Sequence, residues 1–312
     1  MQVGLDSLIA PELAAFVAEA REFNEKMDAE RAEAPDFDLR TPEGLRGMRE
    51  SLVERPAASG PPPIELVAEA GGRRVPVRVL VPEDGEPRGV FLDIHGGGFF
   101  MGWAARNDLR NRRLADAVGV AVVSVDYRLA PEHPWPAAPD DCETAALWLL
   151  EEAEARFGTS RLAIGGASSG ANLAMTTLLR LRNRDLLDPF VGAALQFGAW
   201  DLSGRTPGGR AIADEYLIEA YIGEIDDTTY PDISPIFADL RDLPPALIVV
   251  GTEDILLEDN LVMAARLSAA GNKVDLQVYP ESPHGFTSFP IAMAEAAVSG
   301  IESWLADRFR DS

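Results

Sequence analysis

The sequence predicts an α/β fold in which a mostly parallel central sheet is flanked by helices. Short β-branched runs alternate with helical patterns through most of residues 64–312, and this alternation is typical of parallel sheets. Two of the runs, 89–94 and 118–125, are apolar nearly throughout, as expected of strands that helices cover on both faces. With 312 residues, 46% of them hydrophobic, the chain has enough apolar material for a large core.

The first segment of the chain is expected to be helical. Apolar residues recur near helical spacing in residues 6–54, among many charged ones. The run Ser59-Gly60-Pro61-Pro62-Pro63 then interrupts the pattern, as turns and loops do. We therefore place a boundary here, with an N-terminal helical segment at 1–58 and the main domain from residue 59.

The main domain is expected to alternate strands and helices. The predicted strands are 64–68, 75–81, 89–94, 118–125, 161–164, 191–197, 246–250 and 274–279, and the predicted helices are 135–157, 171–181, 258–270 and 291–309. Residues 201–243 interrupt the alternation with glycines and acids, which indicates an insertion over one end of the sheet. The main domain would thus comprise 59–200 and 244–312.

Composition excludes several classes of protein. The chain has 28 basic and 51 acidic residues, a net charge of −23, which disfavours binding to nucleic acid or to anionic membranes. A single cysteine, Cys142, allows no intrachain disulfide and fits a reducing compartment. The N-terminus does not resemble a signal peptide, and no apolar run approaches the ~18 residues of a membrane span. We expect a soluble, cytoplasmic protein.

A G-x-S-x-G pattern, Gly166-Ala167-Ser168-Ser169-Gly170, lies between a predicted strand and a predicted helix. This context is typical of a nucleophile elbow, a sharp turn with a serine at its apex. The glycines are needed because side chains at their positions would clash where strand and helix come close. The helix N-terminus favours a developing negative charge. We predict Ser168 as the nucleophile; Ser169 is a rival outside the central position, and an ordinary glycine-rich turn is the alternative.

A second pattern, His95-Gly96-Gly97-Gly98-Phe99, directly follows the predicted strand 89–94. Successive glycines leave backbone N–H groups unshielded, as an oxyanion hole requires. The alternatives are a flexible loop or a phosphate-binding turn, but the latter would be followed by a lysine or a helix start. Phe99, Phe100 and Trp103 follow instead and suit an apolar substrate wall.

A nucleophilic serine needs a general base, and the base needs an orienting acid. Of the three histidines, His95, His133 and His284, the last lies in a loop between the final predicted strand and helix. Asp254 comes at the carboxyl end of the predicted strand 246–250, where loops carry such groups. The resulting order of serine, aspartate and histidine is the one used by hydrolases with a nucleophile elbow. Asp201 and Glu253 are the competing acids.

These segments together resemble the bacterial branch of the hormone-sensitive-lipase-like (family IV) esterases in the α/β-hydrolase superfamily. The matching residues are the glycine loop, Asp126-Tyr127-Arg128-Leu129-Ala130-Pro131-Glu132-His133-Pro134-Trp135-Pro136-Ala137-Ala138, the elbow, Asp254-Ile255-Leu256 and His284-Gly285-Phe286. The resemblance implies an α/β-hydrolase fold with a helical cap, formed by the N-terminal segment 1–58 and the insertion 201–243.

The resemblance also implies the roles of individual residues. Ser168, Asp254 and His284 would form the catalytic triad, and the backbone N–H groups of Gly97, Gly98 and Ser169 would form the oxyanion hole. We expect Phe99, Phe100, Trp103, Tyr216 and Tyr221 to contact the substrate.

The elbow departs from the family pattern, which usually reads G-D-S-A-G. Ala167 and Ser169 replace the family's aspartate and alanine, so the contacts that hold the elbow can differ. In the long matching run, we expect Asp126, Arg128 and Glu132 to fix the loop beside the glycines rather than to act on the substrate.

The implied activity is that of a serine carboxylester hydrolase, acting on short- to medium-chain acyl esters through an acyl-enzyme. An amidase or lactonase would use the same triad, and a non-catalytic small-molecule receptor on this fold is a further alternative that the complete triad disfavours. We expect no cofactor and no metal, because the histidines lack zinc-binding spacing. Family members often pair through the edge strand, here 274–279, which allows a homodimer.

Overall fold

The computed structural model of the protein describes residues 4–52, 60–213 and 216–310. Its centre is a sheet of strands β1 Ile64–Ala70, β2 Arg73–Leu80, β3 Val90–Ile94, β4 Ala121–Val125, β5 Leu162–Ala167, β6 Phe190–Gln196, β7 Ala246–Gly251 and β8 Val274–Tyr279. The strands lie in the order β1-β2-β4-β3-β5-β6-β7-β8. β1 pairs with β2, and β2 with β4, in antiparallel fashion, whereas all remaining neighbours are parallel.

The helices are α1 Val17–Glu33, α2 Pro42–Ser51, α3 Asp108–Val118, α4 Ala137–Phe157, α5 Ser169–Arg182, α6 Pro207–Ile212, α7 Tyr216–Ile222, α8 Leu257–Ala269 and α9 Ala292–Arg310. Short 3₁₀ helices occur at Leu5–Leu8, Pro11–Phe16, Ala104–Asn107, Pro235–Phe237 and Phe286–Ser288. Within the described ranges, no helix combines the length and the hydrophobicity needed to cross a membrane.

The helices cover both faces of the sheet, which explains the uninterrupted apolar strands. In β3, Leu92 packs in the core cluster formed with α4 and α5, whereas its neighbour Phe91 packs in the cluster formed with α3 and α9. All five residues of β3 and all five of β4 are buried. The predicted α/β fold with a mostly parallel sheet is confirmed, and each predicted strand is found.

One predicted strand begins too early. The strand predicted over 118–125 starts at Ala121, because α3 continues to Val118 and ends at Gly119, whose φ of +72° is left-handed. Helix α3 was not predicted, since buried polar residues hide its apolar face. Asn111, for example, is fully buried and donates to Asp93 at 2.8 Å.

The N-terminal helices have different neighbours. The start of the chain runs along β8, where Ile9 forms a parallel bridge with Val278, and Ala20 of α1 is fully buried in the cluster on the α9 side. In α2, Leu45 packs instead against Phe100, next to the glycine loop. The predicted boundary at residues 58 and 59 falls outside the described residues.

Candidate active site

Ser168 stands at the apex of the turn between β5 and α5. Its φ of 56° and ψ of −119° form a backbone conformation that a residue with a side chain rarely adopts. A Cβ on Gly166 would lie 2.4 Å from the Ile94 carbonyl oxygen, and one on Gly170 would lie 2.1 Å from the same atom. Only glycines let the turn pack this closely on the end of β3, so the strained serine is held in place.

Three predicted side chains meet at this turn. The Ser168 Oγ lies 2.9 Å from Nε2 of His284, and the His284 Nδ1 lies 3.0 Å from Oδ2 and 3.1 Å from Oδ1 of Asp254. The Asp254 carboxylate can only accept hydrogen bonds when ionised, so the Nδ1 proton points to it and Nε2 presents a lone pair to the serine. The Asp254 side chain is fully buried, and its Oδ1 also accepts from the Leu256 N–H at 2.8 Å.

The loop that carries His284 is braced by α1. At Glu281, whose φ is +50°, the carbonyl oxygen accepts from Nδ2 of Asn24 at 2.8 Å and the carboxylate pairs with Arg21 at 2.6 Å. Further along the loop, the Phe289 ring lies 5.0 Å from that of Phe23, between ring centroids. The N-terminal segment therefore supports the position of the imidazole.

The competing residues make other contacts. Asp201 accepts hydrogen bonds from residues 203, 205 and 206 within the insertion, and the exposed carboxylate of Glu253 accepts a hydrogen bond only from the Thr252 hydroxyl among the described residues. The Ser169 Oγ is buried and makes no hydrogen bond to His284. His133 is exposed on its loop.

His95 lies beside the glycine loop and is held there. Its Nδ1 donates to the Gly96 carbonyl oxygen at 2.9 Å, and its ring stacks on Tyr127 with centroids 4.1 Å apart. Burial lowers the pKa of His95, so the ring is neutral, and burial raises the pKa of Tyr127. The Tyr127 hydroxyl donates to the His95 carbonyl oxygen at 2.9 Å. These contacts fix the residue that precedes the three glycines.

The glycine loop presents unpaired backbone N–H groups. Gly97 has a φ of +131°, and a Cβ there would lie 2.1 Å from the Met101 carbonyl oxygen. Among the described residues, no acceptor is found for the N–H of Gly97, Gly98 or Ser169. All three residues line the same cavity as Ser168, so the donors expected of an oxyanion hole belong to residues around one space.

The charged residues of the long matching run make scaffold contacts. Arg128 pairs with Asp141 through two nitrogens, and the Asp126 carboxylate accepts from the Ala104 N–H at 3.0 Å. Glu132 pairs with Arg49 of α2 at 2.7 Å.

A cavity of about 1250 Å³ opens onto Ser168 and His284. Four of the five predicted substrate residues line it, namely Phe99, Phe100, Trp103 and Tyr216. The fifth, Tyr221, is not among the lining residues; its ring stacks on that of Phe99 with centroids 3.9 Å apart, and both side chains are fully buried.

Several lining residues were not predicted. Arg106, Asn107, Leu109, Phe197, Ile212 and Ile255 line the cavity from different elements. Only Ile255 had a sequence signal, its position next to Asp254. No group of three or more histidine, cysteine, aspartate or glutamate side chains within the described residues could hold a metal ion.

Comparison with known proteins identifies relatives of the whole fold. A family described as the alpha/beta hydrolase fold matches residues 91–288. The carboxylesterase NlhH of Mycobacterium tuberculosis is 35% identical over 243 residues, which cover 72% of this chain and 74% of that protein. The ethyl acetate hydrolase of Pseudomonas putida is 32% identical over 240 residues, covering 72% and 75%.

Solved structures agree with this grouping. A hormone-sensitive lipase from a metagenome library superposes with a TM-score of 0.77 at 30% identity, covering 93% of this chain and 98% of that one. A hyperthermophilic esterase of the archaeon Pyrobaculum calidifontis gives 0.79 at 30% identity, covering 96% and 98%. The predicted resemblance is confirmed, and the chain belongs to the hormone-sensitive-lipase-like esterases of the α/β-hydrolase family.

Proposed function

We propose that the protein is a serine carboxylester hydrolase in which Ser168 is the nucleophile, His284 the general base and Asp254 the orienting acid. The observation that carries this proposal is the unbroken hydrogen-bonded series from the buried Asp254 carboxylate through the imidazole to the Ser168 hydroxyl. A hydroxyl is a weak nucleophile at neutral pH and needs a base within hydrogen-bond reach, which this arrangement supplies.

Acylation follows from this geometry. The Ser168 Oγ attacks the ester carbonyl carbon as its proton passes to Nε2 of His284, and the carbonyl π electrons move to the oxygen. The N–H groups of Gly97, Gly98 and Ser169 stabilise that oxyanion, and Asp254 stabilises the imidazolium. When the tetrahedral intermediate collapses, the alcohol leaves with the proton from His284.

Deacylation repeats the same steps with water. His284 removes a proton from a water molecule, which attacks the carbonyl carbon of the acyl-enzyme. The second tetrahedral intermediate collapses, the acid is released, and Ser168 recovers its proton from His284.

The cap proposal divides the chain as the sequence indicated, with N-terminal helices and the insertion above the sheet. Of the elements outside the sheet layers, residues 36–40 before α2, Ile212 of α6, and Tyr216 and Ile218 of α7 line the cavity. In α2 itself, Arg49 donates to the carbonyl oxygens of Phe100 and Ala130. These elements would form the roof of the substrate site.

Short and medium acyl chains are the proposed substrates. Phe100 and Trp103 provide an apolar wall beside the nucleophile, and the roof limits the length of an acyl group that fits under it. A relative named ethyl acetate hydrolase acts on a short ester, which supports the proposal. Rates on p-nitrophenyl acetate, butyrate, octanoate and palmitate should fall at the long end; rates that keep rising to palmitate would contradict it.

Replacement of the nucleophile tests the function. In Ser168→Ala, turnover of p-nitrophenyl butyrate and labelling by a fluorophosphonate probe should both be lost while the circular dichroism spectrum is unchanged. Ser160→Ala, an exposed serine just before β5, is the matched control and should keep full activity. Retained turnover in Ser168→Ala would exclude the assigned triad. If the unmodified protein does not react with the fluorophosphonate probe, a non-catalytic small-molecule receptor is favoured. Rates on amide and lactone substrates, measured beside those on esters, distinguish an amidase or a lactonase from an esterase.

A further inference from the structure

In the wall of the active-site cavity, Arg106 carries a guanidinium that has no counter-ion among the described residues. The residue belongs to the 3₁₀ helix Ala104–Asn107 and lines the same cavity as Ser168 and His284. Its Nε is buried without a hydrogen-bond partner. No hydrogen bond or ion pair joins its terminal nitrogens to any residue in the described part of the chain, and these nitrogens are not buried. Arg106 therefore presents free donors to the cavity.

The other arginines of the cavity wall are occupied. Arg110 pairs with the buried Asp93 at 2.7 Å. Arg113 binds Glu295 at 2.5 Å and Glu302 at 2.6 Å. These two arginines have no free positive charge to offer a ligand, whereas Arg106 does.

The remaining charges of the cavity lie at its outer part. Arg40 is exposed and lies over the Tyr216 ring, 5.5 Å from its centroid. Asp36 and Asp38 are also exposed, so water screens their charges. Among the described lining residues, Arg106 is the partly buried cation that has no acid beside it.

Such a cation is unfavourable without an anionic partner. Burial lowers the pKa of Arg106, which reports the loss of solvation around the guanidinium, yet an arginine stays charged in proteins. The nearby His95 supplies no negative charge to balance Arg106. Burial lowers the pKa of its imidazole, the charge of Arg106 lowers it further to a smaller extent, and the ring stays neutral. A carboxylate from a ligand would supply the missing charge, and the planar guanidinium can bind it through two parallel hydrogen bonds.

The charge of the whole chain opposes the approach of an anion. At a net charge of −23, the protein as a whole repels anions, and a general electrostatic attraction cannot bring them to the cavity. Recognition of an anion there depends on a specific donor, and Arg106 is placed to be that donor.

We propose that Arg106 is a specificity-determining residue that binds a carboxylate carried by the ester substrate. The preferred substrates are then esters with one free carboxylate, either half-esters of dicarboxylic acids or esters of carboxylated alcohols. This inference rests on the proposed function, because it takes Ser168 to be the nucleophile of the same cavity.

Two matched substrate pairs test the proposal. The acyl side is probed by 4-nitrophenyl hydrogen adipate against 4-nitrophenyl hexanoate, and the alcohol side by 3-acetoxybenzoate against its methyl ester, with enzyme-free rates subtracted. For each pair, the ratio of kcat/KM for the anionic to the neutral ester is measured in the unmodified protein, Arg106→Gln, Arg106→Lys and Arg74→Gln. Arg74 is 71% exposed on β2 and controls for the loss of one positive charge far from the cavity.

The expected result is a fall in that ratio for at least one pair. Arg106→Gln should lower it roughly 10- to 100-fold, the effect of losing a charge-assisted hydrogen bond. Arg106→Lys should keep part of the preference, and Arg74→Gln should keep all of it. An unchanged ratio in both pairs would overturn the proposal. An equal fall in kcat/KM for the anionic and the neutral ester of each pair would also overturn it, because Arg106 would then only position the loop that follows His95.

A binding measurement separates this inference from the proposed function. Isothermal titration of Ser168→Ala with two anions, monomethyl adipate and 3-acetoxybenzoate, requires no turnover. At least one anion should bind, and the double variant Ser168→Ala/Arg106→Gln should bind it roughly 10- to 100-fold more weakly. Equal binding by both variants, or no binding by either, refutes the role of Arg106 even if esters are hydrolysed. If the anion binds to Ser168→Ala but not to the double variant, and the unmodified protein hydrolyses no ester, the anion site at Arg106 stands and the proposed esterase function is rejected.

Discussion

Replacement of Asp254 by asparagine should disable the general base without removing any side chain from the site. The Oδ1 of Asp254 accepts from the Leu256 N–H at 2.8 Å, while Oδ2 lies 3.0 Å from Nδ1 of His284. An asparagine must keep its oxygen towards Leu256, so its NH₂ group faces the imidazole. Nδ1 then has to accept, the ring carries its proton on Nε2, and the lone pair that takes the proton of Ser168 is lost.

The size of the effect follows from this change of tautomer. In serine hydrolases the wrong tautomer lowers kcat by about 10⁴-fold, which corresponds to roughly 5.5 kcal/mol of transition-state stabilisation. The assay is the steady-state kcat on p-nitrophenyl butyrate, with the melting temperature measured to show that the variant is folded.

The exposed neighbour Glu253 provides a matched control. Glu253→Gln removes one carboxylate from the same loop without touching the imidazole, so its kcat should stay within about twofold of the unmodified value, as expected for a surface change. A folded Asp254→Asn variant with more than a tenth of the original kcat, or an equal loss in Glu253→Gln, would refute the reasoning.

Two further substitutions probe the loops around the triad. Gly97→Ala would place a Cβ 2.1 Å from the Met101 carbonyl oxygen at a residue with a left-handed φ. Because the clash would displace the Gly97 N–H, kcat on p-nitrophenyl butyrate should fall by about 10²- to 10³-fold. A nearly normal kcat would argue against an oxyanion hole that includes Gly97. For Asp201, burial opposes ionisation, but hydrogen bonds from Ser203 and Thr206 outweigh it and lower the pKa of the carboxylate. Asp201→Asn should therefore lower the free energy of unfolding by about 1–3 kcal/mol at neutral pH, and the difference from the unmodified protein should shrink below about pH 4, where Asp201 takes up a proton. Urea titrations at several pH values measure this difference. A difference that grows in acid would contradict the lowered pKa of Asp201.

The meeting of Ser168, His284 and Asp254 could be predicted because these residues follow local rules. Ser168 lies in a short pattern whose glycines are required by contact with Ile94, and Asp254 comes directly after a buried apolar strand. His284 lies in the loop after the next strand, β8. Since the carboxyl ends of neighbouring parallel strands lie at one edge of the sheet, residues placed there by the sequence meet in space.

The parts that could not be predicted depend on tertiary packing. Tyr221 was expected in the pocket, but α7 turns that ring onto Phe99, and no local pattern specifies the rotation of so short a helix. Arg106 could not be singled out from the sequence, because what distinguishes it is that no described acid lies beside its guanidinium. In α3, buried contacts such as Asn111 to Ser124 at 2.8 Å replace apolar ones, so the helical face did not show in the hydrophobic pattern.

The support of the His284 loop by α1 has a consequence for shortened versions of the protein. The Ser168 turn packs directly on the end of β3, where the glycine loop begins, whereas the loop of His284 is held at Glu281 by Arg21 and Asn24 of a separate helix. Deleting the first two dozen or so residues would remove both of these contacts, and it would also strip Leu13 and Ala20 from the core cluster on the α9 side and the Ile9 bridge from β8. Versions of the protein that lack this segment should therefore lose catalytic activity and stability together.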